Sequence, residues 1–165
     1  ALGSRAIATA GSPEKAAFCR SLGAEAAVDY RTDDFVAAAI AFTDGRGADV
    51  VLDIVGGEYI ARDLAALATG GRIMSIAVRD HTPAAVDMGL LMRKRARIQG
   101  TTLRARPLAE RVAVIAAVRE HVWPLLTAGA VRPVIDSVFP FTDAAQAHRR
   151  MESSAHLGKI LLRVS

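Results

Sequence analysis

Short apolar segments alternate with segments of helical periodicity along residues 5–103, and this alternation limits the chain to few folds. In the first cycle, residues 5–10 are apolar, Ser12 and Pro13 provide a helix N-cap and a first helical residue, and Gly23 ends the helix. Strands that alternate with helices form a parallel sheet with helices on its faces. We therefore predict an α/β protein with a doubly wound parallel sheet of the Rossmann type.

Five strands and four helices are predicted in this part of the chain, with Asp33 as the cap of the second helix. The strands cover residues 5–10, 26–30, 48–55, 72–78 and 98–103, and the helices cover 13–22, 34–42, 59–67 and 88–94. The centre of segment 48–55 is almost continuously apolar, so we expect that strand to be buried on both faces.

The rhythm changes after Pro107. Residues 108–126 predict one long amphipathic helix with a single buried stripe. Segments 131–139 and 159–164 predict strands that flank a helix over 142–152, and they do not continue the alternation. We therefore divide the chain into a Rossmann domain over residues 1–126 and a C-terminal segment over 127–165.

The glycine-rich loop of a Rossmann fold is missing from the sequence. Such folds bind a pyrophosphate on a Gly-x-Gly-x-x-Gly turn after their first strand, and no such motif occurs here. If residues 5–10 form the second strand, the first strand would precede residue 1. In the strand order 3-2-1-4-5-6 the first strand lies in the middle of the sheet. We therefore expect an incomplete sheet, and expect residue 1 not to be the natural start.

Composition excludes several other classes of protein. One cysteine excludes an internal disulfide, and four scattered histidines argue against a metal site. No apolar run is long enough to span a membrane and no secretion signal is seen, so we predict a cytoplasmic protein. The excess of positive charge is only +4. Arginines and a lysine between residues 93 and 106 could form a basic patch, but without aromatic residues for base stacking they argue weakly for nucleic-acid binding.

A set of short motifs, in order, resembles one known family. They are residues 9–15 (TAGSPEK), 22–24 (LGA), 28–31 (VDYR), 53–57 (DIVGG), 70–73 (GGRI), 100–106 (GTTLRAR), 122–126 (VWPLL) and 156–160 (HLGKI). Together they resemble the C-terminal half of the zeta-crystallin-like NAD(P)H:quinone oxidoreductases, which belong to the zinc-free branch of the medium-chain dehydrogenase/reductase superfamily. The resemblance covers essentially the whole chain.

The resemblance implies a protein of two domains, a GroES-like catalytic domain and a Rossmann domain that holds NADPH. The C-terminal strands would return to the catalytic domain, and the last Rossmann strand, 98–103, would form a homodimer interface. The implied activity is hydride transfer to a small quinone without zinc, and the chain alone would be inactive. The alternatives are reduction of an alkenal, enone or enoyl group, a non-catalytic fragment that dimerises or binds nucleic acid, and a catalytically dead remnant.

The end of segment 5–10 favours NADP(H) over NAD(H). Folds selective for NAD place an acid there to bind the ribose 2′-hydroxyl, and this sequence has none. Ser12 and Lys15 can instead converge on a 2′-phosphate, or be a plain N-cap and a surface lysine. The resemblance adds Tyr30 to this phosphate site, while Ser154 stands where the family has an arginine. Arg31 is a candidate to replace that arginine.

Further cofactor residues are implied by position at strand ends and by the resemblance. Val55, Gly56, Ser75 and Ala77 would line the nicotinamide ribose and ring, and Leu103 and His156 would lie near the nicotinamide and the phosphates. Turn and core roles for these residues remain open. No catalytic side chain is assigned, because the cofactor supplies the hydride and water can supply the proton.

Overall fold

The computed structural model describes residues 1–164 and divides them into two compact units. The first is Ser4–Arg111, and the second comprises Ala1–Gly3 and the residues from Val112 onward. The strands are β1 Ile7–Ala10, β2 Ala26–Asp29, β3 Ala48–Asp53, β4 Leu67–Ser75, β5 Arg97–Gly100, β6 Ile135–Pro140 and β7 Lys159–Arg163. The helices are α1 Pro13–Ser21, α2 Phe35–Phe42, α3 Tyr59–Ala66, α4 Met88–Lys94, α5 Leu108–His121, α6 Trp123–Thr127 and α7 Ala144–Glu152.

The first unit is a parallel α/β fold of the Rossmann type, as predicted. Its strands form two sheets, β1-β2 and β3-β4-β5, in which every pairing is parallel. Among the described residues, β1 and β3 each pair on one side only. In the Rossmann order 3-2-1-4-5-6, strands β1 and β2 correspond to positions 2 and 3, and strands β3 to β5 correspond to positions 4 to 6. Without a strand at position 1, that order divides into these two sheets.

Two apolar clusters hold the first unit together. One joins Val28 of β2, Phe35 and Ala39 of α2, and Ala66 of α3, and so links the two sheets through their helices. The other is formed by Ile60, Leu64, Leu67 and Ile73, with α4 packed against it. Because both clusters contain residues of α3, this helix is the central support of the unit.

Strand β4 differs from its prediction at both ends. It begins at Leu67, directly after α3, and ends at Ser75, whereas the sequence predicts a strand over 72–78. Leu67 pairs with Ala48, and the register then shifts so that Val50 pairs with Arg72. The extra residues form a bulge that contains Gly70 and Gly71, which directly precede the predicted strand.

Two further predictions in the first unit are wrong. Asp34, not Asp33, caps α2, and its carboxylate accepts a hydrogen bond from the N–H of Val36 at 3.0 Å. Strand β3 is not buried on both faces, since Leu52 is 64% exposed. Side chains alternate along a strand, so Val51 packs on the core with α3 and α4 while Val50 and Leu52 point to the other face.

The second unit contains the C-terminal strands, which pair in parallel as β6-β7 with α7 between them in sequence.

The prediction of a single helix over residues 108–126 is wrong. The helix breaks at Val122 between α5 and α6, two residues before Pro124, which has no N–H for a hydrogen bond to the preceding helical turn. Its apolar stripe is also exposed rather than buried, including at Val112 and Ile115. No helix among residues 1–164 is long and apolar enough to cross a membrane.

Candidate functional site

The carboxyl end of β1 brings the predicted phosphate residues together. Ser12 caps α1, and its Oγ accepts a hydrogen bond from the N–H of Lys15 at 3.2 Å. Tyr30 follows β2, and its N–H donates to the carbonyl of Ala10 at 3.0 Å. The phenol lies against Gly11, where an added Cβ would be only 2.6 Å from the Tyr30 hydroxyl oxygen. The turn at Gly11, the first turn of α1 and the Tyr30 phenol therefore form one surface. The phosphate-binding role of this surface stays a prediction.

One carboxylate lies close to this surface. Asp29 pairs with Ala10 across β1-β2, and its side chain is buried. Its Oδ1 accepts a hydrogen bond from the N–H of Arg31 at 3.0 Å. Because this carboxylate is buried and bonded to its own turn, it does not occupy the position at the end of β1 from which an acid would repel a 2′-phosphate.

Asp53 organises the carboxyl ends of β3 and β4. Its carboxylate is 4% exposed and accepts three hydrogen bonds. Oδ1 receives the N–H groups of Val55 at 2.8 Å and Gly56 at 3.0 Å, and Oδ2 receives the hydroxyl of Ser75 at 3.0 Å. Three of the predicted cofactor residues are thus held by one side chain.

The turn after β3 also packs against the segment that follows β4. The carbonyl of Val55 accepts the N–H groups of Arg79 and Asp80, both at 2.9 Å. Gly56 has φ of 75°, and a Cβ there would approach Cγ1 of Val78 to 3.1 Å. A side chain at this position would be strained and crowded, so glycine keeps the turn close to the strand end.

A pocket of about 470 Å³ opens at the carboxyl ends of β4 and β5. It is lined by Ser75, Ile76, Ala77, Val78, Gly100, Thr101 and Thr102. None of these residues is charged, and their only side-chain polar groups are hydroxyls. Open α/β sheets bind ligands at this edge. The candidate site is therefore this pocket together with the neighbouring turn at Val55 and Gly56, which Asp53 holds and which we call the Asp53 turn.

Leu103 follows the pocket residues but lies on a loop, since β5 ends at Gly100 rather than at residue 103. Its side chain is 53% exposed. The N–H of Thr101 still bonds to the carbonyl of Ser75 at 3.0 Å, and the chain then turns, with the N–H of Arg106 bonded to the carbonyl of Leu103 at 3.2 Å.

His156 belongs to the second unit, in the loop between α7 and β7. The N–H of the next residue, Leu157, donates to Asp136 Oδ1 at 2.9 Å, and Arg150 binds the same carboxylate through Nε at 3.0 Å and Nη2 at 2.8 Å. The Arg150 guanidinium, with the N–H of Leu157, holds the pKa of Asp136 well below its usual range. The His156 loop is therefore anchored, while Nδ1 of His156 is buried without a hydrogen-bond partner in residues 1–164.

The basic patch predicted between residues 93 and 106 is not a continuous exposed surface. The Lys94 ammonium turns inward to backbone carbonyls, and Arg93 lies 3.9 Å from Asp87. Arg106 is bonded to Glu110 at 3.2 Å. Half of the six cations therefore have partners within the chain.

Sequence reasoning missed Asp53, Arg106 and Asp63. Asp53 was assigned to a strand, and Arg106 was counted only as part of the basic patch. The signal for Asp53 was present, because a carboxylate two or three residues before a turn can accept that turn's N–H groups. Asp63 gave no signal, since its burial depends on how α3 packs.

Comparison with known families identifies the chain. Residues 22–162 match the family model described as zinc-binding dehydrogenase. The chain belongs to the zinc-binding dehydrogenase family. Its resemblance to medium-chain dehydrogenases is thereby confirmed at the level of the superfamily.

Individual relatives of this dehydrogenase chain differ in their named activities. It is 33% identical over 167 residues to a phenolphthiocerol/phthiocerol polyketide synthase polypeptide of Mycobacterium tuberculosis, covering 99% of the chain and 7% of that protein. It is 27% identical over 170 residues to a 2-haloacrylate reductase from Burkholderia, covering 98% and 48%. The crystal structure of the Thermus thermophilus quinone oxidoreductase, also known in complex with NADPH, superposes with a TM-score of 0.83 at 32% identity, covering 99% and 50%. The chain thus spans half or less of these proteins.

The family description names zinc, and the described part of this chain does not fit that metal. Within residues 1–164, no group of three or more histidine, cysteine, aspartate or glutamate side chains is placed to hold a metal ion. The cysteine, Cys19, lies half-buried on α1. Structural and catalytic zinc sites need at least three such protein ligands, so no chemistry of these residues is assigned to zinc.

Proposed function

We propose that the protein is an NADPH-dependent oxidoreductase that reduces a quinone. The observation that carries this proposal is the uncharged pocket of about 470 Å³ beside the Asp53 turn, at the edge where such sheets bind nucleotides. A quinone is neutral and nearly planar, so it needs hydroxyl and apolar contacts rather than a counter-charge. The related Thermus thermophilus quinone oxidoreductase supports the same activity.

The residues at the carboxyl end of β1 and those at the carboxyl ends of β3 and β4 fit a nicotinamide cofactor. Because Gly11 has no Cβ, the Tyr30 hydroxyl lies against the turn before α1, where it could contact the same anionic group as the helix N-terminus, Ser12 and Lys15. Val55, Gly56, Ser75 and Ala77 would line the nicotinamide end, and Leu103 and His156 would lie near the nicotinamide and the phosphates. NADPH supplies a hydride when bound.

The role of the chain in the reaction is to bind and orient the cofactor and the acceptor. Asp53 fixes the Val55–Gly56 turn and the Ser75 hydroxyl, which keeps the floor of the pocket rigid before any ligand binds. A quinone that accepts one hydride and one proton becomes a hydroquinone. No side chain of the described part of the chain is assigned as the acid, so the proton is taken from water.

Three further properties belong to this proposal. The homodimer forms through β5, whose outer edge pairs with no strand among residues 1–164 and whose four residues are all exposed. The reaction is independent of zinc. The protein acts in the cytoplasm.

A second candidate is reduction of an activated carbon–carbon double bond. The related 2-haloacrylate reductase favours it. A haloacrylate carries a carboxylate, however, and the pocket lining offers no cation to bind one. An uncharged enone or enoyl group would fit the same lining.

The acceptor is tested by steady-state kinetics of the protein as its native cell produces it. With NADPH, we expect 1,4-benzoquinone or a naphthoquinone to be reduced with a higher kcat/KM than 2-chloroacrylate or a neutral enone. A higher kcat/KM for the enone would mean that the acceptor is an activated alkene and not a quinone. No oxidation of NADPH with any of these acceptors would refute the oxidoreductase proposal.

Replacing Lys15 by alanine should weaken NADPH binding far more than NADH binding. The ammonium would make a charge-assisted contact with the 2′-phosphate, and the loss of such a contact costs about 1–3 kcal/mol. NADH has no 2′-phosphate, so its affinity should be nearly unchanged. Titration calorimetry of both cofactors measures the difference.

Arg119→Ala is the matched control for Lys15→Ala. It removes the same charge from an exposed position on α5, so it reports the effect of net charge alone. Equal losses of NADPH and NADH affinity in Lys15→Ala, or an equal effect in Arg119→Ala, would show that the 2′-phosphate does not lie at α1.

A further inference from the structure

The loop after β5 is held in shape by one guanidinium. Arg106 reaches back to the start of the loop, where Nη2 donates to Thr101 Oγ1 at 2.7 Å and Nε donates to the carbonyl of Thr102 at 3.1 Å. Nη1 donates to Glu110 Oε2, on α5, at 3.2 Å. Each of the three guanidinium nitrogens therefore binds a different residue.

The two threonines that Arg106 binds are pocket residues. Thr101 and Thr102 line the pocket together with the segment that follows β4. Thr101 is also bonded through its N–H to the carbonyl of Ser75, so the start of the loop is fixed to β4. What remains adjustable is the direction in which the chain leaves Thr102, and this is where Arg106 acts.

The chemistry of arginine suits this task and that of lysine does not. A guanidinium is planar and presents donors in fixed directions, so it can bind a hydroxyl, a carbonyl and a carboxylate at once. An ammonium is a point charge on a flexible stem and would favour Glu110 over the two neutral oxygens. The ion pair with Glu110 orients the guanidinium toward the loop.

We propose that Arg106 is a positioning residue that sets the shape of the acceptor side of the pocket through Thr101 and Thr102. It does not touch the acceptor itself. The effect on an acceptor rests on the proposed function, whereas the ordering of the loop by Arg106 rests only on the hydrogen bonds described above. The inference predicts that Arg106 controls acceptor affinity and leaves NADPH affinity nearly unchanged.

Arg106→Met tests this directly, because methionine keeps the apolar stem and removes all three donors. We expect the KM for the quinone to rise about tenfold, as for the loss of one charge-assisted hydrogen bond, with the KM for NADPH changed less than about twofold. Backbone amides of residues 100–107 should exchange hydrogen faster, as measured by mass spectrometry. Arg106→Lys should recover only part of either effect.

Arg104→Met is the matched control, since Arg104 lies in the same loop, is exposed and makes no hydrogen bond or ion pair with the described residues. It should change neither KM nor exchange. An unchanged quinone KM in Arg106→Met, or equal rises in both KM values, would overturn the inference.

Failure of the proposed function would be seen separately. If the unmodified protein reduces no acceptor with NADPH, the proposed function is wrong, and exchange of residues 100–107 still decides the role of Arg106. Unchanged exchange in Arg106→Met would then overturn the inference, and faster exchange would retain Arg106 as the residue that orders this pocket wall.

Discussion

Replacing Lys94 by methionine should lower the free energy of unfolding of the first unit by about 2–4 kcal/mol. The Lys94 ammonium donates hydrogen bonds to three carbonyl oxygens, those of Leu64 at 3.1 Å, Ala65 at 2.7 Å and Leu67 at 2.5 Å. The last carbonyls of a helix have no partner within the helix. Lys94 therefore closes the C-terminus of α3 at the point where β4 begins.

The expected loss comes from the removal of a charged donor from these carbonyls rather than from lost packing. Methionine retains most of the apolar stem but has no donor, so three carbonyl oxygens near the core lose a charged partner. Burial partly desolvates the Lys94 ammonium and so lowers its pKa. That desolvation offsets some of the gain, and the estimate is accordingly below the sum of three separate charged hydrogen bonds.

Urea denaturation of Lys94→Met and of Arg93→Met measures this loss. Arg93 is the neighbouring cation on α4 and makes only an exposed contact of 3.9 Å with Asp87. Exposed ion pairs of this kind contribute less than about 1 kcal/mol. Equal losses in the two variants would mean that the three carbonyls do not depend on Lys94.

Local signals predicted the fold well where the residues that decide an element are close in sequence. Ser12 was predicted as the cap of α1, and its Oγ accepts the N–H of Lys15 as a cap should. The alternation of strands and helices predicted the parallel sheets and their division. Asp33 was chosen as a cap in place of Asp34 because both are acceptable caps, and composition does not decide which one the chain uses.

Tertiary contacts decided what the sequence left open. The start of β4 at Leu67 depends on pairing with Ala48, and a pattern of glycines cannot show that pairing. Lys94 was read as part of a basic patch, although its ammonium lies inside the fold. The same holds for Arg106, whose partners at Thr101 and Thr102 form contacts only when the loop has turned.

The strand ends at the candidate site were predicted from the sequence, whereas the side chains that hold them were not, and the cofactor roles of the residues there stay a prediction. The residues at the ends of β3 and β4 were placed correctly at one edge, because parallel strands bring their carboxyl ends together. The sequence did not show that Asp53 fastens three of them, since that requires the distance between Ser75 and the turn after β3. The position of these strand ends thus follows from topology, whereas the hydrogen bonds that hold the turn after β3 come from a buried side chain.

Replacing Asp63 by asparagine should raise the stability of the first unit at pH 8 by about 2–4 kcal/mol. Asp63 lies on α3 with 4% of its surface exposed. Burial is the main cause that raises its pKa from 3.8 to about 7, the charge of Asp53 raises it further, and Arg62 partly opposes the shift. At pH 8 the native protein must therefore hold a buried charge that asparagine does not carry.

The pH dependence gives the sharper test, because its sign is fixed by the direction of the shift. Between about pH 4 and pH 7 the folded state keeps a proton on Asp63 that the unfolded chain has released, so stability contributed by this group falls as pH rises. Above pH 7 both states are ionised and the contribution is constant. Asp136, whose pKa is lowered, acts in the opposite sense and only below about pH 4.

Chemical denaturation at pH 5, 6, 7 and 8 should therefore show a decline for the unmodified chain that is absent in Asp63→Asn. Asp44→Asn is the matched control, because Asp44 is exposed and its positive φ of 53° is one that asparagine also adopts readily. Its profile should follow that of the unmodified chain. If Asp63→Asn keeps the same decline, the titrating group lies elsewhere and the carboxylate of Asp63 is solvated in the folded protein. If the decline disappears, Asp63 is a buried acid of α3 that lies near Asp53, the residue whose carboxylate holds the turn at the candidate site.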